Sequence, residues 1–193
     1  MAATKIMIIR HAEKPTTTPP AAGVTIAGDQ NEDSLIVRGW QRAGALVPLF
    51  APSRGPIQSS DLATPQFIFA AASSDPEGNR PEETITPLAQ QLNLTPNETY
   101  SKTEVEQVAT AAVACEGVVL ISWPHGQIPN VCDQIPLSPN NVNAIPSKWP
   151  GDRFDMVFVF DFDTSPAVYG YNFNQVPQLL LKGDSDQPIP SGS

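Results

Sequence analysis

Histidine is scarce in this chain: its 193 residues contain only two, His11 and His125. Cysteine is equally rare. Cys115 and Cys132 make neither a disulfide framework nor a Cys-x-x-Cys metal motif, so two reduced, partly buried thiols are expected. Positive charge is also sparse, with 11 Lys and Arg against 20 Asp and Glu and a net charge of −9. That balance argues against nucleic acid or an anionic membrane as partner, since both need a basic footprint. No apolar run approaches the roughly 18 residues of a membrane span, and no basic segment followed by a long apolar core opens the sequence. A soluble, cytoplasmic protein is therefore expected. No His-Glu-x-x-His or His-x-His spacing occurs, which disfavours a metal hydrolase built on His11, His125 and carboxylates.

What the chain does have is enough apolar residue (40%) for a substantial core, which fits one domain over residues 1–193. Proline is abundant, at 21 residues, and is expected to shape loops more than core. Three Pro-, Ser- and Asn-rich connections, at 15–33, 51–65 and 134–153, read as long polar loops, and two of them flank the histidine-bearing segments. Between them, apolar runs predict strands at 4–9, 66–72, 117–123 and 155–162. Amphipathic segments predict helices at 39–50, 81–92, 103–116 and 128–135. Pro81 with Glu82 and Glu83 suits the start of the second helix, and Ser101 or Thr103 ahead of Glu104 and Glu106 suits the start of the third. This alternation predicts a three-layer α/β/α sandwich around a mostly parallel sheet. The stretch 168–182 adds an edge strand of mixed polarity, and Tyr171 to Leu181 reads as core cover rather than a partner surface. Each histidine falls just past the end of a strand, where ligands bind in open α/β sheets.

Four segments, taken in order, resemble the signature of the histidine phosphatase, or phosphoglycerate-mutase-like, superfamily. Arg10-His11-Ala12 is similar to the family's Arg-His-Gly after its first strand. Leu35-Ile-Val-Arg-Gly39-Trp-Gln-Arg-Ala43 resembles the Leu-Thr-x-x-Gly-x-x-Gln-Ala helix entry. Arg80-Pro-Glu-Glu-Thr84 resembles the second-arginine segment, and Val119-Leu-Ile-Ser-Trp-Pro-His125-Gly the strand that ends in the second histidine. The resemblance runs from about residue 4 to residue 130. It departs from the family at Pro124, where a small residue is usual, and at Ser74-Asp-Pro-Glu-Gly-Asn-Arg80, which is longer and more acidic.

The resemblance implies a phosphoglycerate-mutase-like fold, no cofactor, no metal, and a small phosphorylated substrate, with a phosphoprotein as the alternative. It implies that His11 is the nucleophile, attacking phosphorus to give a phosphohistidine, and that His125 donates to the phosphate oxygens. Arg10 and Arg80 would grip those oxygens, and Lys14 would reach a substrate phosphate or carboxylate. The alternative for Arg80 is a surface arginine paired with Glu77 or Glu83, and Arg38 and Arg42 read as solvent-facing. A proton donor for the leaving group is sought among Glu13, which stands beside the nucleophile and leads, and Glu82, Glu83 and Glu104. In the family this acid commonly comes from the interval between the second arginine and the second histidine. Here that interval holds two helices and one strand, with no room for a separate cap domain. An open site follows, suited to hydrolysis rather than to a mutase that must exclude water. The rival reading is a catalytically weak or inactive phospholigand-binding protein on the same fold.

Overall fold

The computed structural model describes residues 2–74, 78–139, 145–166 and 168–192. Its central sheet has the strand order β4-β5-β1-β6-β7. β1 is Lys5–Arg10, β4 Phe67–Ala70, β5 Val118–Trp123, β6 Met156–Asp163 and β7 Gly170–Pro177. β4, β5 and β1 are parallel, β6 runs antiparallel to β1, and β7 antiparallel to β6. Four strands therefore point one way and β6 alone opposes them. β1 and β5 carry continuous apolar runs rather than alternation because both of their faces are covered.

Helices α1 (Val37–Phe50) and α2 (Arg80–Leu92) cover one face. There Leu46, Phe50, Ile85 and Leu88 meet Met7, Ile9, Leu120 and Val159. Helices α3 (Val105–Ala114) and α4 (Ile128–Cys132) cover the other. On that side Val108, Ala112 and Val131 meet Ile6, Ile8, Ile121 and Phe158. The two buried clusters are the two filled spaces of a three-layer α/β/α sandwich. Every predicted strand and helix is present, with ends displaced by a few residues. α3 begins at Val105 because Glu104 accepts the Ser101 N–H at 2.8 Å while donating its own N–H to the Ser101 carbonyl at 3.0 Å, which closes the turn before the helix.

Two expectations need correction. The 15–33 stretch is not all loop: β2 (Thr16–Thr17) and β3 (Pro20–Ala21) form a small hairpin, followed by a Val24–Gln30 bridge. Pro48, exposed, lies inside α1 and Pro87, half-buried, inside α2, both within segments that the sequence predicts as helices. The apolar faces of those helices bury Leu46, Leu49, Phe50, Ile85 and Leu88, which offsets the missing hydrogen bond. Arg42 does not face solvent: it is 2% exposed. In the C-terminal stretch Tyr171, Phe173 and Val176 face the core, although Leu179 is exposed. Cys132 is buried and Cys115 half-buried, both as free thiols, and burial pushes both upward from the usual thiol range. Among the described residues no helix is long and apolar enough to cross a membrane.

Candidate active site

The parallel arrangement of β1 and β5 brings the two histidines to one end of the sheet. Arg10 pairs with Trp123 across the strands, and the His11 N–H donates to the Trp123 carbonyl at 3.2 Å. His125 follows two residues later, half-buried. β6 runs the opposite way, so its start rather than its end lies at this edge, and the 149–155 segment comes alongside. Arg10 donates from Nη1 to the carbonyls of Gly151 (2.8 Å), Arg153 (2.9 Å) and Pro150 (3.4 Å). A Cβ added at Gly151 would stand 4.0 Å from His125 Nε2, so Arg10 and His125 both approach this glycine.

His11 is fully buried. Its Nδ1 lies 2.8 Å from the Ala12 carbonyl, which can only accept, so Nδ1 carries the proton. The lone pair is then on Nε2, which has no hydrogen-bond partner among the described residues. Burial is the main reason that His11 is pushed down from 6.5 to about 3, and the charges of Arg10, Arg80 and Lys14 act in the same direction. The imidazole is therefore neutral at any ordinary pH. Thr84 secures the backbone beside it, accepting the Ala12 N–H at 2.8 Å and donating to the Arg80 carbonyl at 2.7 Å. One hydroxyl thus ties the His11 segment to the first turn of α2, where Arg80 stands.

Arg80 is almost buried and donates from Nη2 to the Glu32 carbonyl at 2.7 Å. That contact holds the 15–33 rim against α2. Gly78 permits it: its φ is +63°, and a Cβ there would lie 2.5 Å from the Asp33 Cβ. The expected alternative partner Glu77 falls outside the described residues. Glu83 accepts the Leu35 N–H at 2.8 Å, and burial raises its carboxyl from the usual value.

Glu13 occupies a different place from the one its sequence position suggests. Its carboxylate accepts from Arg42 Nη2 at 2.9 Å and Nε at 3.1 Å, and from Arg38 Nε at 3.2 Å. Both oxygens of this carboxylate are thus engaged by guanidinium groups. Arg42 reaches on to Asp184 at 2.8 and 3.0 Å and to Gln178 at 3.0 Å. Burial would weaken the charge on both ions. The hydrogen bonds win, holding Asp184 below the usual carboxylate range and Arg42 above the usual guanidinium value. Glu104 is likewise engaged, accepting the Ser101 N–H in the turn ahead of α3.

Glu98 was missed by sequence reasoning, although it lies in the interval between the second arginine and the second histidine. The segment that carries it runs beside β4: the Ala70 N–H donates to the Asn97 carbonyl at 3.0 Å and the Ala72 N–H to the Tyr100 carbonyl at 2.9 Å. Glu98 therefore sits beside the carboxyl end of β4, at the same end of the sheet as His11 and His125. Partial burial, and then the nearby charge of Glu82 on α2, push its carboxyl upward. Only the fold pairs these two acids, because 16 positions separate 82 from 98.

No family model and no curated protein matches the sequence. Among solved structures, the chain is similar to one described as mycobacterial hydrolase 2, at 10% identity and a TM-score of 0.45, over 98% of this chain and 94% of that one. It is also similar to the native mycobacterial glucosyl-3-phosphoglycerate phosphatase, at 12% identity and a TM-score of 0.44, over 90% and 98% of the two chains. A third similar structure is the product of an open reading frame of Mycobacterium tuberculosis, at 14% identity and a TM-score of 0.42, over 87% and 95%.

Proposed function

We propose that this protein is a metal-independent phosphatase that hydrolyses phosphomonoesters through a phosphohistidine at His11. The observation that carries this reading is a buried, neutral imidazole whose Nε2 lone pair has no partner among the described residues, with Arg10, Arg80 and Lys14 close enough to bias its charge. The Nε2 pair forms the bond to phosphorus as the ester P–O bond breaks, and the departing oxygen takes a proton from a carboxyl group. Water then attacks the phosphohistidine, the same carboxylate accepts its proton, and inorganic phosphate leaves with His11 restored. Arg10, Arg80 and His125 stabilise the charge that builds on the non-bridging oxygens.

The proton donor in this reading is Glu98, whose carboxyl is pushed upward first by burial and then by the charge of Glu82, in place of Glu13. Two neighbouring carboxyls resist simultaneous ionisation, which is how a carboxylic acid persists at higher pH. Substrates are small phosphorylated metabolites, with phosphoproteins as the wider alternative.

Hydrolysis of p-nitrophenyl phosphate in excess chelator tests the proposal. Wild-type turnover should survive EDTA and fall by roughly 10³-fold or more in His11→Ala. Glu98→Gln should slow an alkyl phosphate by about 10²–10⁴-fold. It should slow the aryl ester less, because p-nitrophenolate needs less protonation to leave. Activity abolished by EDTA and restored by zinc would sink the assignment. Orthovanadate binding without turnover would instead favour the phospholigand-binding reading.

A further inference from the structure

Phe154 belongs to none of the four segments that resemble the family signature, yet it touches both residues of the Arg10-His11 pair. The Arg10 guanidinium carbon lies 3.7 Å from the centre of its ring. Its edge packs against the His11 imidazole, with centroids 6.3 Å apart and planes at 60°. The ring is only half-buried, so filling the core does not account for its place.

The segment leading to Phe154 is rigidly held. Arg153 bonds Asp155 through Nε at 2.6 Å and the Gln187 carbonyl through Nη2 at 2.9 Å. Trp149 Nε1 donates to the Arg153 carbonyl at 2.9 Å, and that same carbonyl accepts from Arg10. The carbonyls of Pro150, Gly151 and Arg153 engage Nη1 and the ring of Phe154 covers one face of the guanidinium, so Arg10 is fixed in both position and tilt. An aromatic face attracts a cation, and its edge excludes water from the neighbouring imidazole.

We infer that Phe154 is a positioning residue: it sets the orientation of the Arg10 fork and keeps His11 shielded from water, so that fork and imidazole are presented to the same phosphoryl group. This inference rests on the phosphatase reading for its link to turnover, while its effect on His11 is measurable without turnover. The charged groups that face His11 are Arg10 from β1, Lys14 from the following segment and Arg80 from α2. All three disfavour its protonation, so water admitted beside the ring would screen them together.

The test compares Phe154→Leu with Phe154→Tyr, which retains the aromatic face. His11 and His125 are the only histidines, so their ring signals are readily separated by NMR. In wild type and Phe154→Tyr, His11 should stay neutral down to pH 5. In Phe154→Leu it should begin to charge between pH 5 and 6.5. Orthovanadate affinity should fall about tenfold in Phe154→Leu, and kcat/KM for p-nitrophenyl phosphate should fall about ten- to hundredfold. Phe154→Tyr should restore both to within about threefold of wild type, which a role in bulk packing alone would not require. A folded Phe154→Leu variant whose His11 titrates as in wild type, with unchanged vanadate affinity, overturns the inference. If wild type fails to turn over while His11 titration still depends on Phe154, the phosphatase reading fails and the positioning of His11 stands.

Discussion

At the scale of single residues, the chemistry concentrates in His11, which is fully buried. The Ala12 carbonyl fixes its tautomer, and burial together with three cations removes its proton. These influences have a stability consequence. The folded value, about 3, lies below the unfolded value of 6.5. Above pH 6.5 both states are neutral, and this group's contribution is fully present. As pH falls below 6.5 the unfolded chain takes a proton that the folded one refuses, so stability drops by about 1.4 kcal/mol per pH unit from this group. Urea denaturation of wild type and His11→Asn between pH 6.5 and 5 checks the sign. The wild type should lose stability with the steeper slope, since few carboxylates titrate in that window.

At the scale of elements, α1 shows how packing places the His11 segment. A Cβ on Gly39 would lie 2.5 Å from the Glu13 carbonyl oxygen, and the Ile36 N–H donates to that oxygen at 3.1 Å. The helix thus rests directly on the backbone two residues past His11, a close approach that glycine permits. Gly44, on the same helix, has open space around its Cβ position. Opposite outcomes follow for one chemical change. Gly39→Ala should destabilise by about 1–3 kcal/mol through overpacking, and Gly44→Ala should stabilise by about 0.5–1 kcal/mol through helix propensity. Chemical denaturation of both variants measures the contrast. Elements were the most legible level in the sequence, because apolar periodicity and start signals such as Pro81-Glu82-Glu83 are local. The apolar pattern predicted helices through Pro48 and Pro87 as well, and both do lie inside α1 and α2, where burial against the sheet outweighs the missing hydrogen bond.

At the scale of the whole molecule, Arg42 connects three distant parts of the chain. It joins α1 to Glu13 beside the nucleophile and to Asp184 in the C-terminal tail. Asp184 in turn accepts the N–H groups of Leu180 and Leu181 at 2.8 and 3.0 Å. The tail is held further on by the Ser185 N–H, which donates to Asp155 at 2.6 Å. Removing the cation would leave two largely buried carboxylates with only the half-exposed Arg38 between them. Arg42→Met should therefore cost about 3–5 kcal/mol and expose the 178–190 tail to limited proteolysis, with thermal denaturation and mapping of the cleavage sites as the measurements. A variant that melts like wild type and keeps an intact tail would show that the network contributes little.

The sequence by itself determined which residue types stand at the strand ends: His11 after Arg10, His125 after Trp123-Pro124, and Arg80 at a helix start. Motif and periodicity are local properties, and they are readable without knowing what packs against them. Tertiary structure alone decided which charges meet. Glu13 is sequence neighbour to the nucleophile, but Arg42 and Arg38 neutralise it. Glu98, in no motif, is brought to the carboxyl end of β4 within influence of Glu82. Phe154 reaches Arg10 and His11 because β6 opposes the other strands and so begins where they end. Protonation and orientation depend on burial and on partners far along the chain, and those exist only once the sheet and its two helical layers have assembled.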